Sequence, residues 1–435
     1  MRYILFLAVL SAAVFASAQS SVDTHRDSVK ASHRIITFDN ETRPQSQSHN
    51  DSIRQMIDMF YYDQFRNFSD PEAPYFMFMS KDASLAMGIG GAVRMRGYFD
   101  WHGAMPGPGF APILIPMNPD PAAMRHFGTT PAGTCLFFRV IGRNKSIGHY
   151  QLYIEADFSG YERRDFRLKK AYAIVNDFTI GLANSTFSDP AALPPTVDAQ
   201  GPANKISPAN VLVRYMPTVK ERWTFAISAE TPSTAIDTSS GQNKAVDEWI
   251  PDGAAFIQYQ WGPTSHIRLA GMVRSLSYRD LIAERNHYRT GWGVMLGSVA
   301  HPLPKLTYYL TANYGHGYSS LGGDLSIGNY DLIPDAERPG KLYAPASLGW
   351  CVGLQWNFTP DLFVCAQCSQ THLMPRNGTS DPDAYKHGTV AALNCFWNLT
   401  PRILLGAEFD WAKRTNENGI HRHANRVGAL AMFSF

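Results

Sequence analysis

The stretch that decides the fold reads Leu85-Ala86-Met87-Gly88-Ile89-Gly90-Gly91-Ala92-Val93-Arg94-Met95-Arg96-Gly97-Tyr98-Phe99-Asp100-Trp101. Leu85, Met87, Ile89, Val93, Met95, Phe99 and Trp101 fall on one parity; Ala86, Gly88, Gly90, Arg94, Arg96, Tyr98 and Asp100 fall on the other. Side chains alternate across an extended strand, so one face is apolar and the other small or polar. Sandwich strands run to about 5 or 6 residues, far short of this one.

The pattern recurs down the chain. Leu348, Trp350, Val352, Leu354, Trp356 and Phe358 alternate with Gly349, Cys351, Gly353, Gln355 and Asn357. Ile403, Leu405, Ala407, Phe409 and Trp411 alternate with Leu404, Gly406, Glu408 and Asp410. Such segments predict sixteen strands, near 85–101, 135–142, 150–158, 166–175, 178–185, 210–216, 223–230 and 253–261, then 266–277, 289–299, 305–316, 347–358, 362–370, 386–398, 403–413 and 423–435. Short turns (176–177, 216–220, 262–265, 301–305, 359–361, 400–402) alternate with longer connections, notably 102–134, 186–209, 231–252, 317–346, 371–385 and 414–422. One end of a closed antiparallel barrel is thus trimmed and the other elaborated, as in outer-membrane barrels. Closure leaves no unpaired backbone in lipid. The expected fold is all-β, a sixteen-stranded transmembrane barrel over 84–435.

Composition agrees. The chain has 435 residues, 45% hydrophobic, 12% aromatic and only 17% charged. Its mean hydropathy is nevertheless −0.22, because the apolar residues are dispersed. Past the N-terminus no run of about 18 apolar residues suggests a transmembrane helix. A net charge of +2 gives no reason to expect a nucleic-acid partner. Abundant Tyr, Phe and Trp exclude intrinsic disorder.

The N-terminus addresses the chain. Arg2, an apolar stretch over 3–15 and Ala16-Ser17-Ala18 read as a signal peptide over 1–18. Residues 19–83 then form an extension expected in the periplasm. Asn50 stands as an N-cap before Ile53, Ile57, Phe60, Tyr61, Gln64 and Phe68, whose spacing predicts a helix over 51–68. Five cysteines in an exported chain argue against a disulfide framework. Cys365 and Cys368, three apart on a strand, should diverge.

If the apolar face meets lipid, the other lines a lumen. Its basic candidates are Arg94, Arg96, Arg139, Arg167, Lys169, Arg214, Arg268, Arg274 and Arg426; its acidic ones are Asp100, Glu155, Asp157, Glu230, Glu408 and Asp410. That bias of +3 favours anions in a pore. The connection 186–209 carries Phe187, Asp189, Pro190, Pro194 and Pro195 and is the third external loop, a candidate constriction. His421-Arg422-His423 and Asp381-Pro382-Asp383 read as loop residues rather than metal sites, and no G-x-S-x-G, H-E-x-x-H or phosphate-loop motif is present. No cofactor or metal is expected.

The runs Tyr153-Ile154-Glu155-Ala156-Asp157-Phe158, Arg167-Leu168-Lys169-Lys170-Ala171-Tyr172 and Ser185-Thr186-Phe187-Ser188-Asp189-Pro190, with Gly201-Pro202, resemble the DcaP-like family of outer-membrane porins. That resemblance implies a homotrimer of sixteen-stranded barrels in the outer membrane of a Gram-negative bacterium. It also implies an N-terminal periplasmic helical extension and anionic, dicarboxylate-like solutes as cargo. The terminal Phe435, in step with Phe433, Ala431, Ala429 and Val427, resembles the strand by which the barrel-insertion machinery recognises its clients. The expected function is passive diffusion, in contact with outer-membrane lipid and lipopolysaccharide and without catalysis. The alternatives are a barrel-embedded lipid hydrolase and a plugged structural or surface-binding barrel.

Overall fold

The computed structural model describes residues 34–37, 63–71, 74, 76–80, 82, 84–159, 165–376 and 381–435. The expected signal segment 1–18 and the helical stretch 51–62 lie outside the described residues. Over 63–68, where the helix was expected to continue, the chain runs through turns. Asp63 and Asn67 account for this: their side chains accept the N–H groups of Phe65 and Ser69, two residues on. Such local bonds compete with the helical ladder.

Sixteen strands form the wall: β1 (Leu85–Trp101), β2 (Cys135–Asn144), β3 (Gly148–Ser159), β4 (Asp165–Val175), β5 (Phe178–Asn184), β6 (Ala209–Tyr215), β7 (Trp223–Glu230) and β8 (Asp252–Gln260). The second half comprises β9 (His266–Asp280), β10 (Arg285–Leu303), β11 (Leu306–His316), β12 (Ala346–Asn357), β13 (Leu362–Met374), β14 (Tyr385–Thr400), β15 (Ile403–Asn416) and β16 (His421–Ser434). Each pairs antiparallel with its sequence neighbour, and β16 pairs with β1 from Asn425↔Trp101 to Ser434↔Ala92 to close the barrel. At the seam, Gly91 and Phe435 exchange both backbone hydrogen bonds, at 2.9 and 3.0 Å. Below that point the edge of β1 is covered by a short strand, Phe76–Met79.

Two external connections are shorter than expected. The chain turns over 281–284 between β9 and β10, and over 417–420 between β15 and β16. The reason is physical. Above the membrane both strand faces meet water, so the apolar alternation stops while the hydrogen-bonded ladder continues.

The outer face is apolar: Ile89, Val93, Met95, Ile154, Ile180, Val213, Ile227, Leu269, Val273, Leu354, Leu393 and Val427 are all exposed. Tyr215, Trp223, Trp356 and Trp397 ring the short-turn end, and Tyr288, Trp292 and Tyr314 stand toward the other. Aromatic girdles of this kind mark the two lipid–water interfaces. The inner face holds buried charge instead, with Arg268 and Asp100 both 0% exposed. All five cysteines are free thiols; Cys365 is buried inward and Cys395 faces out.

Candidate functional site

The lumen is built by what the wall leaves empty. Along 185–208 the chain folds into the barrel, with Phe187, Asp189 and Pro190 buried. Small wall residues make the space. A Cβ added at Gly293 would stand 2.9 Å from the Phe187 ring, at Gly297 2.2 Å from Asp189, and at Gly353 2.7 Å from Pro194. Hydrogen bonds then hold the loop. Glu408 accepts the Val197 and Asp198 N–H groups at 2.9 and 2.6 Å, and Asn394 donates to the Pro195 carbonyl at 2.8 Å. Val197 packs among Phe363, Phe396, Leu404 and Leu430. Near the other end of the loop, His266 lies 2.9 Å from Asp189, and Arg268 donates to the Ser188 carbonyl at 2.6 Å. Burial alone would raise the Asp189 carboxyl, but Arg268 and His266 hold it below the ordinary carboxylate range.

Several of the predicted basic residues prove to be loop anchors. Arg96 donates to the carbonyls of Val197 and Ala132 at 2.8 and 2.7 Å. Arg274 joins Asp252 on the wall to Asp331 in the 317–345 loop, at 2.9 and 3.2 Å. Arg426 binds both oxygens of Asp100, at 2.6 and 2.9 Å, and reaches Asp198 at 3.0 Å. Arg268 is likewise committed to Gln258 and the loop. Arg268, Arg274 and Arg426 are thus each bound by acceptors that the loops and inward wall supply. Asp252 and Asp280, inward at strand ends, also add acid that the sequence count omitted.

The other basic candidates lie, together with Arg96, on one arc, β1 to β6. Arg94 and Arg96 stand on β1, Arg139 on β2, Arg167, Lys169 and Lys170 on β4, and Arg214 on β6. Strict alternation would turn Lys170 toward lipid. Instead the β3–β4 register shifts between Glu155 and Ala156, so that Lys170 opposes Glu155 and Leu168 opposes Ala156. This bulge sends two consecutive lysines inward. Arg167, above it, is more exposed and pairs with Asp157 at 2.9 Å. Lys170 is the residue that alternation missed; the doubled Lys169-Lys170 was its only trace.

Into this arc runs the described part of the N-terminal extension. Residues 63–71 lie against lumen-facing side chains. Asp70 meets Lys169 at 3.0 Å and Lys170 at 3.1 Å. The Phe65 ring sits 4.1 Å from the Arg214 guanidinium and 4.9 Å from that of Arg268. Phe68 packs on Phe396 and Phe363, with centroids 4.8 and 5.8 Å apart. Arg94 donates to the Ser69 carbonyl. Gly88 and Gly90 admit the segment: a Cβ at either would meet Pro74, at 2.3 and 2.9 Å.

Two of the cavities among the described residues border these groups. One of about 130 Å³ lies beside Phe65, lined by Arg139, Lys170, Tyr172 and Arg214. The other, about 1250 Å³, opens among Tyr98, Met105, Arg125, His126 and Arg414 toward the external mouth. One Ser–His pair lies within hydrogen-bond distance: Ser265 Oγ is 2.9 Å from His301 Nδ1, whose second nitrogen faces the Thr264 hydroxyl. That imidazole lacks the orienting carboxylate of a triad among these contacts.

No family model matches the chain, and no curated protein matches it in sequence. Solved structures do. The outer membrane channel DcaP of Acinetobacter baumannii superposes with a TM-score of 0.68 at 20% identity, over 82% of this chain and 99% of that one. OmpT, an outer membrane protein of Vibrio cholerae, gives 0.49 at 9% identity, over 81% of this chain and 98% of its own. OprB of Pseudomonas putida gives 0.48 at 9% identity, over 80% and 94%. The chain therefore has the fold of the DcaP outer-membrane channel, a closed antiparallel barrel of sixteen strands.

Proposed function

We propose that the chain is an outer-membrane porin, a homotrimer passing small anionic, dicarboxylate-like solutes by passive diffusion. The observation that carries this reading is the basic arc of Arg94, Arg96, Arg139, Lys169, Lys170 and Arg214, beside the inward 185–208 loop that Arg96 bonds at the Val197 carbonyl. Cations grouped at a narrow, partly dehydrated passage act more strongly than in water. Lipid and lipopolysaccharide cover the outer face, Phe435 presents the chain to the insertion machinery, and the N-terminal extension begins in the periplasm before 63–71 enters the barrel.

Reversal potentials across a salt gradient in planar bilayers test the reading. Anion preference is expected, weakening as salt screens the arc; clear cation preference would overturn it. A plugged structural barrel is the second reading, favoured by the two segments, 63–71 and 185–208, that occupy the lumen. It predicts a folded barrel without conductance.

A further inference from the structure

Lys169 and Lys170 face two carboxylates, and only one belongs to the wall. Glu155 is fixed in β3, fully buried, 2.8 Å from Lys169 and 3.8 Å from Lys170, and accepts the Tyr153 hydroxyl at 2.9 Å. Asp70 comes from the 63–71 segment, at 3.0 and 3.1 Å from the two ammonium groups. Burial alone would raise the Asp70 carboxyl; the two lysines hold it well below the ordinary carboxylate range. Without Asp70 the wall keeps two ammonium groups against one carboxylate. Lys170 is only 7% exposed, so water screens the surplus poorly. The missing partner is one anion.

The segment that supplies it is held without backbone pairing to the wall. Over 63–71 the chain makes turns, such as Arg66 N–H to Asp63 C=O at 3.2 Å, and pairs with no barrel strand. Its grip comes from side chains and from two carbonyls: Ser69, bonded by Arg94, and Phe65, bonded by Asn184 at 2.8 Å. Beside it lies the 130 Å³ cavity lined by Arg139, Lys170 and Arg214. A small carboxylate entering there would meet Lys170 directly.

We propose that Lys169 and Lys170 form a carboxylate-binding site on the permeation path, and that Asp70 is its tethered occupant, displaced by the carboxylate of an entering solute. The assignment rests on the porin reading above. A ligand carried on a short tether acts at an effective concentration in the millimolar range, so a free carboxylate competes only at comparable concentration. The segment thus sets a concentration threshold for entry.

Planar-bilayer recording with succinate as the probe tests this on the full chain. In the parent, succinate should modulate chloride current only at millimolar levels. Asp70→Ala, and Asp70→Asn, which keeps the shape, should raise conductance and tighten apparent succinate affinity by roughly tenfold or more. The double variant Lys169→Ala/Lys170→Ala should abolish the succinate response. Conductive Asp70 variants with the parent's succinate affinity would overturn the site. A folded parent barrel that passes no current would instead sink the porin reading, and heat-modifiable electrophoretic mobility reports folding for each variant. On the unmodified chain, millimolar succinate should speed tryptic cleavage after Arg66 while mannitol does not. Equal cleavage with both would overturn displacement without any substitution.

Discussion

Two arcs of one wall face the same lumen with opposite chemistry. From β1 to β6 the inward positions carry Arg94, Arg96, Arg139, Lys169, Lys170 and Arg214. From β10 round to β16 they carry Gly293, Gly297, Gly349, Gly353, Gly406 and Gly428, and a Cβ at each would lie within 3.5 Å of a loop side chain. The contrast teaches how a barrel positions a loop. The loop lies where glycines make room for it and wall groups such as Glu408 and Asn394 hold it, while most of the cations stand on the other arc.

The comparison breaks most readily on the basic arc. Lys170→Ala would leave Asp70 and Glu155 sharing Lys169 alone in a buried site. Loss of one partner from such a network costs about 3–5 kcal/mol, read by urea unfolding of the folded barrel, and the reversal potential should move toward cations. An unchanged midpoint and potential would show that the lysines are passive.

The second effect lies on the other arc. Asp324 is buried against β14, accepts the Tyr385 hydroxyl and takes the Ile113 N–H at 2.8 Å. Burial pushes its carboxyl up to about 6. The docked loop therefore binds this proton more tightly than the freed one. Docking is strongest below about pH 4, weakens as pH rises and has lost about 3 kcal/mol once past about pH 6. Hydrogen exchange of 317–345 across that range should show the loosening, and Asp324→Asn should flatten it.

A smaller change tests the glycine path itself. Gly353→Val drives a side chain into Pro194, an overpacking of about 1–3 kcal/mol. Expelling the loop should enlarge single-channel conductance while the barrel stays folded; unchanged conductance would show that the loop does not narrow the passage. The least disturbing probe uses two native thiols of neighbouring strands. Cys395 should react with a lipid-soluble maleimide, whereas Cys365, inward and buried, should stay protected until unfolding. Equal labelling would mean that the faces are misassigned.

Much of this was legible beforehand. The split of Leu85, Met87 and Ile89 from Ala86, Gly88 and Gly90 is the split between lipid and lumen. Strand ends were harder: β10 outran its expected span because alternation stops where lipid stops. The site was legible only in part. Phe187, Asp189 and Pro190 lie inside the barrel, yet Arg268 and Arg426 are occupied by partners 80 and 228 residues away. No local pattern carries those separations. Lys170 stayed hidden because one bulge inverts the parity on which the assignment relied.

The amino-acid sequence by itself determined the alternation, the strand count, the trimmed and elaborated ends, and hence a closed barrel with lipid outside. These follow from geometry within a strand, where each side chain points opposite to the last. Only the tertiary structure decided which inward charges are spent on loops, which face a cavity, and that Asp70 sits between Lys169 and Lys170. Those outcomes depend on which distant segments enter a shared interior. Burial makes each unpaired charge there costly enough to select its partner.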